Sequence, residues 1–137
     1  MKGKILLLFF TVVFLNSCNN KNDTCQDLMC TQQFVFFLIK FEDTNGNAVD
    51  VDDYSAVNTR TGKIISTAKS DYPEPEGYYV IADDGNITDF SKEGDVVLVS
   101  GTHMQTQVTK TAEIKITGGQ CSCHISKKFG TDKIVFN

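Results

Sequence analysis

Tryptophan is absent, and only two prolines and two histidines occur among the 137 residues. Both prolines, Pro73 and Pro75, fall in one short stretch, so the rest of the chain is free to pair as strands. His103 and His124 stand on separate segments and do not by themselves form a metal or acid–base site. Basic side chains are also few: 13 against 17 acidic ones, a formal charge of −4 and a pI near 5.0. A general nucleic-acid binder needs a basic face, and this balance excludes nucleic acid as the expected partner. No Gly-x-Ser-x-Gly and no His-Glu-x-x-His occurs, so serine-hydrolase and zincin signatures are lacking. Past residue 18 no window keeps a helical apolar period. Charged residues at 22 % and apolar ones at 41 % are ordinary for a folded domain, and the length suits one core.

What is present begins at the N-terminus. Lys2 and Lys4 precede Ile5 to Leu15, an apolar run broken only by Thr11. That is too short to span a bilayer and suits the apolar region of a signal peptide. The run closes on Leu15-Asn16-Ser17-Cys18, which resembles the lipobox of bacterial lipoproteins. The resemblance implies cleavage before Cys18 and acylation of its sulfur and its new amine. Residues 1–17 are then a lipoprotein signal peptide, residues 18–24 the lipidated cysteine and a flexible tether, and residues 25–137 a single folded domain. Several acyl chains, at about 0.8 kcal/mol per buried methylene, hold a protein stably on a membrane. Loss of Lys2 and Lys4 leaves 11 basic and 17 acidic side chains, a mature charge of −6. Lys21-Asn22-Asp23 is similar to the lysine-plus-acid signals that send some lipoproteins to the outer cell surface. The expected location is the cell envelope, anchored to the outer membrane through Cys18.

Four further cysteines, Cys25, Cys30, Cys121 and Cys123, lie at the two ends of the domain. An even number in an exported chain reads as disulfides. Cys121 and Cys123 are two apart, and on a strand they would share a face, where joining them to each other strains the backbone. Cys25 and Cys30 are therefore each expected to pair with one of Cys121 and Cys123, clipping the first strand to a late one. A thiolate metal site is the competing reading, since Cys-x4-Cys and Cys-x-Cys-His carry zinc or copper ligands. The usual Cys-x2-Cys is missing, and an oxidising compartment disfavours free thiolates. No metal and no cofactor is expected.

Strand patterns fill the remainder. Phe34–Phe41 is aromatic and apolar on both faces. Asp43-Thr44-Asn45-Gly46-Asn47 turns it into Ala48–Val57, with Val49, Val51 and Val57 read as one face. Ile64–Ala68, Tyr78–Ala82 and Asp95–Ser100 follow. Gln107–Thr117 alternates most regularly. Cys121–Lys127 and Lys133–Phe136 end the chain, and Ile87–Lys92 has room for one helical turn. Strands this closely spaced predict an all-β fold, an antiparallel sandwich of seven or eight strands, transthyretin- or immunoglobulin-like. Phe36, Ile39, Val49, Val80, Val97, Ile114 and Ile116 are the expected core.

Phe36-x-x-Ile39-x-Phe41-x-Asp43-x-x-Gly46-Asn47-x-Val49, Asn58-Thr59-x-Thr61-Gly62 and Gly77-x-Tyr79-x-Ile81 resemble carboxypeptidase-regulatory-like domains, small sandwiches of prealbumin topology. Cys121-Ser122-Cys123-His124-Ile125 is similar to a cysteine–histidine strand in small lipoproteins of Bacteroidota. The resemblance implies an accessory or structural module and no catalytic residue.

Other clusters read more plainly. Asp43, Asn45, Asn47 and Asp50 offer oxygen ligands, but Gly46 is fourth from Asp43 and Tyr54 stands at the twelfth position, so a hairpin turn is expected rather than a calcium loop. Asp50, Asp52, Asp53, Asp83, Asp84 and Asp89 are expected on a solvated face. His124 is out of phase with Cys121, Cys123 and Ile125, so water is its expected surrounding, as for His103. Tyr72, Tyr78 and Tyr79 flank Pro73-Glu74-Pro75-Glu76, a loop suited to protein or sugar contact. The expected function is a non-catalytic, lipid-anchored structural or interaction module with an envelope protein as partner. The alternative is a small envelope binding protein for a glycan or metal ion.

Overall fold

The computed structural model describes residue 25, residues 28–70 and residues 76–137. The expected signal peptide, Cys18, the expected tether to Thr24 and the loop residue Tyr72 lie outside the described residues. Eight strands follow in chain order: β1 Phe36–Asp43, β2 Val51–Asn58, β3 Ile64–Ser66, β4 Tyr78–Asp83, β5 Asp95–His103, β6 Thr109–Thr117, β7 Ser126–Phe129 and β8 Lys133–Phe136. A 3₁₀ helix, Asp84–Asp89, joins β4 to β5. A sheet of order β4-β1-β8 packs on one of order β3-β2-β5-β6-β7, making an all-β sandwich.

One pairing departs from the antiparallel expectation. β1 and β8 run parallel, with Lys40 opposite Lys133 and Phe41 opposite Ile134. The buried Glu42 sits on this seam between two cations, Lys133 Nζ at 2.8 Å and Lys40 Nζ at 3.0 Å. Lys133 first and Lys40 second hold its carboxyl below the usual range.

Strand alternation explains the core and the errors in its expected membership. Ile39, Val97, Ile114 and Ile116 are fully buried, and Val49 packs partly against them. Phe36 and Val80 are not in that cluster. Phe36 and Ile39 are three apart, hence on opposite faces of β1. On β4 it is Tyr79 and Ile81 that point inward, so Val80 points out. On β2 the pairing with β5 shifts between Asp52 and Ser55, where Asp53 adopts φ 51°. That bulge reverses the phase, so Val51 is buried while Val57 pairs outward beside Ile64. Phe41 forms the centre of an aromatic group, edge-on to Tyr54 and Tyr79 and stacked on Phe136. Both buried phenols are satisfied: Tyr54 donates to the Val80 carbonyl at 2.8 Å, and Tyr79 accepts from the Val51 amide at 3.0 Å. Burial, and then the neighbouring Tyr79, push the Tyr54 hydroxyl well above the ordinary phenol range.

The strand directions define two poles. β5 and β6 are antiparallel, with Asp95 opposite Ile116 and Thr102 opposite Thr109. The start of β5, the end of β6 and the 3₁₀ helix therefore share one pole. The hairpin turn after His103 lies at the other, about 30 Å away at the rise of a nine-residue strand. Residues 28–35 lead into β1 at the first pole.

Candidate functional site

At this first pole the chain enters the fold, and the described chemistry concentrates there. Cys25 is bonded to Cys121 and Cys30 to Cys123, each with a Cα–Cα distance of 5.2 Å. Both bonds join the expected groups, but not through a strand. Cys121 and Cys123 lie in the turn between β6 and β7, and β7 begins only at Ser126. The reason is local. Ser122 donates its amide to the Gly119 carbonyl at 3.0 Å and its hydroxyl to the Gly118 carbonyl at 2.7 Å, which closes a turn where a strand would extend. Gly118 approaches the Ile87 carbonyl so closely that a Cβ there would collide with it. Gly118 and Gly119 donate to the carbonyls of Ser91 and Ile87 at 3.1 and 2.7 Å, docking the turn on the 3₁₀ helix and its exit.

His124 is not the water-facing residue that strand phase suggests. Its Nδ1 lies 2.7 Å from Asp84 Oδ2, and its Nε2 lies 2.9 Å from Thr31 Oγ1. A carboxylate only accepts, so Nδ1 donates; in the neutral ring Nε2 then accepts from the Thr31 hydroxyl. Asp84 is likewise no solvated acid. It also accepts the Val35 amide at 2.8 Å and the Ile125 amide at 3.0 Å. Burial is the largest influence on its carboxyl and works upward. The Val35 amide, His124 and the Ile125 amide together outweigh it and leave the group below its ordinary value. Asp83 caps the same 3₁₀ helix by accepting the Gly85 amide at 2.7 Å.

A hydroxyl, an imidazole and a carboxylate in this order have the spacing of a nucleophile–base–acid set. Such a set also needs amide donors aimed at a developing oxyanion. At the carboxylate end of this line, Asp84 also takes the Val35 and Ile125 amides. The arrangement works as a clasp: it ties the segment after Cys30 to the segment after Cys123 through the 3₁₀ helix.

A second polar knot holds the same pole. Asp95, fully enclosed, accepts from Arg60 Nε at 2.6 Å and Nη2 at 2.7 Å, from Asn58 Nδ2 at 2.9 Å, and from the Ser91 hydroxyl and amide at 2.7 and 3.0 Å. Arg60 above all, against the cost of burial, and then Asn58 and Ser91, hold its carboxyl far below the usual range. The Asn58 side-chain oxygen in turn accepts the Arg60 amide at 3.0 Å, forming the turn that Gly62 completes at φ 71°. A cleft of about 410 Å³ opens between Phe90–Lys92 and Gly118–Ser122, beside the Cys121 disulfide.

The remaining candidates are dispersed. Asp43 accepts from the Asn45 and Asn47 amides and from Asn47 Nδ2 at 2.8 to 2.9 Å, so its oxygens bind the hairpin turn itself. Asp50 pairs with Lys69, and Asp89 with Lys63. His103, at the far pole, accepts two turn amides on Nδ1 and sets its ring edge-on to Phe136. Among the described residues, no group of three or more His, Cys, Asp or Glu side chains is placed to hold a metal. Tyr79 is core, and Tyr78 is half-buried at the start of β4.

Sequence reasoning missed Thr31, Arg60, Ser91 and Asp95. The Asn58-Thr59-Arg60-Thr61-Gly62 turn was the available signal for Arg60, and the position of His124 beside Cys123 for the clasp. Compared with protein-family models, curated proteins and solved structures, the chain matches none.

Proposed function

We propose that this chain is a non-catalytic, lipid-anchored module of the cell envelope that presents a rigid sandwich to an envelope protein. The observation that carries the reading is the double clamp at Cys25–Cys121 and Cys30–Cys123, a few residues past the lipobox cysteine. A tethered domain feels thermal and mechanical load first where the tether joins it. An N-terminal strand without cross-links would fray from that end. Here the load passes through two covalent bonds into the β6–β7 turn, and the clasp on His124 reinforces it. The resemblance of the turn motifs to carboxypeptidase-regulatory-like domains supports an accessory role.

The test is fractionation of cells expressing the full chain and its Cys18→Ala variant, with labelling by an alkyne-bearing fatty acid. The wild type should label and stay with the membrane through a high-salt wash. The variant should lose the label and become soluble. A variant that stays in the membrane fraction like the wild type overturns the anchor.

A further inference from the structure

Between the two disulfides the chain exposes two adjacent large apolar side chains. Met29 is 96 % exposed and Leu28 47 %, and Phe34 follows at 53 %. Exposed apolar residues scattered singly need no explanation, but adjacent ones on a rigid platform do. Leu28 and Met29 themselves lie in no strand or helix, and the cysteines on either side of them in the chain, Cys25 and Cys30, are both bonded to the β6–β7 turn. Covalent clamping on both sides removes much of the ordering cost that a floppy segment would meet on binding. One charge, Asp27, precedes Leu28 between the two clamped cysteines, and from Leu28 to Ile39 the sequence carries none, whereas the mature chain as a whole is acidic.

We propose that Leu28 and Met29 form a lipid-contacting knob, so that the clamped pole rests on the bilayer surface and the domain stands with its far pole outward. The proposal rests on the anchor reading for Cys18. Seven chain steps separate Cys18 from Cys25, a reach of about 25 Å when fully extended. A bilayer surface is then the apolar phase held permanently within range of the knob. Tethering of this length raises the local concentration of that surface to the millimolar scale, so a contact too weak to hold a free protein becomes populated. Orientation follows as well. With the first pole down, the hairpin turn at Met104, 52 % exposed, faces away from the membrane.

The absence of tryptophan makes the test clean. Met29→Trp and Met104→Trp are made separately in the full chain. Both positions are exposed, so each variant keeps the core. The mature proteins are reconstituted into phosphatidylcholine vesicles with brominated acyl chains. In a parallel preparation the unacylated mature chain is coupled through the Cys18 thiol to a maleimide lipid, which supplies the tether whatever the cell does at Cys18. Emission from position 29 should shift to the blue and be quenched at least twofold by the brominated lipid, while position 104 stays unchanged. Equal, negligible quenching at both positions in the coupled preparation overturns the knob. A shift at position 29 that grows with protein density and ignores bromination assigns the surface to a second copy and also overturns it. Failure of the anchor reading shows separately, as a native preparation that carries no acyl chain.

Discussion

Removing the disulfides one at a time and together gives a non-additive result that the geometry fixes in advance. In the chain-entropy account, a cross-link stabilises by the loop it closes in the unfolded chain. Either bond alone closes a loop of more than 90 positions, since the separations are 96 and 93. Each is then worth about 4.7 kcal/mol on its own. Once one is formed, the other closes only a small ring. Cys25 and Cys30 are five positions apart and Cys121 and Cys123 two, so that ring spans about seven chain steps and is worth about 2.4 kcal/mol. Cys25→Ser with Cys121→Ser should cost about 2.4 kcal/mol, and so should Cys30→Ser with Cys123→Ser. Replacing all four should cost about 7 kcal/mol, most of the stability of a domain this size. Urea unfolding with a linear extrapolation reads all three variants against the wild type. Single-bond losses near 4 to 5 kcal/mol that add up in the quadruple variant would refute the nested-ring reasoning. So would losses under half a kcal/mol.

Three further outcomes follow from the packing and the polar knots. Ile114→Ala should destabilise by about 2 to 5 kcal/mol in the same assay, because Ile114 is fully buried between the sheets. Asp84→Ala should cost about 2 to 4 kcal/mol, since it leaves the Val35 and Ile125 amides without an acceptor. Asp95→Ala should cost about 3 kcal/mol: charge-assisted bonds in the enclosed knot are worth about 1.5–3 kcal/mol, while the half-exposed Arg60 pair contributes little by itself. The Asp95 carboxyl is depressed in the folded state. Its contribution is therefore complete above the unfolded value of about 3.9 and is lost as pH falls further toward the folded value. Wild-type stability should drop below about pH 4 more steeply than that of Asp95→Asn, and equal slopes would remove Asp95 from the account.

The sandwich was legible because Gln107–Thr117 and Lys133–Phe136 alternate with few interruptions and Gly or Asn turns separate the strands. The cysteine partners were legible from their grouping at the two ends. What escaped depended on contacts between distant segments. The parallel β1–β8 pair cannot be told from an antiparallel one by alternation. The phase reversal in β2 comes from Asp53 in a left-handed conformation, where nothing in Val-Asp-Asp-Tyr announces a bulge. The strand expected at Cys121 failed because Ser122 and two glycines satisfy their own turn. His124 was misplaced with it, since strand phase says nothing about a turn. Asp84 and Asp95 look like their exposed neighbours until Val35, Ile125, Asn58 and Ser91 are brought to them by the fold.

The claim that joins these observations is that a lipid anchor at Cys18 leads into a covalently clamped pole. The intact mass of the protein extracted from membranes in detergent, without reduction, tests it most directly. The mass should equal that of residues 18–137 carrying a diacylglyceryl group and an amide-linked acyl chain, less four hydrogens for the two disulfides. A mass that lacks the acyl groups, or that gains four alkylations before any reductant is added, would contradict the account.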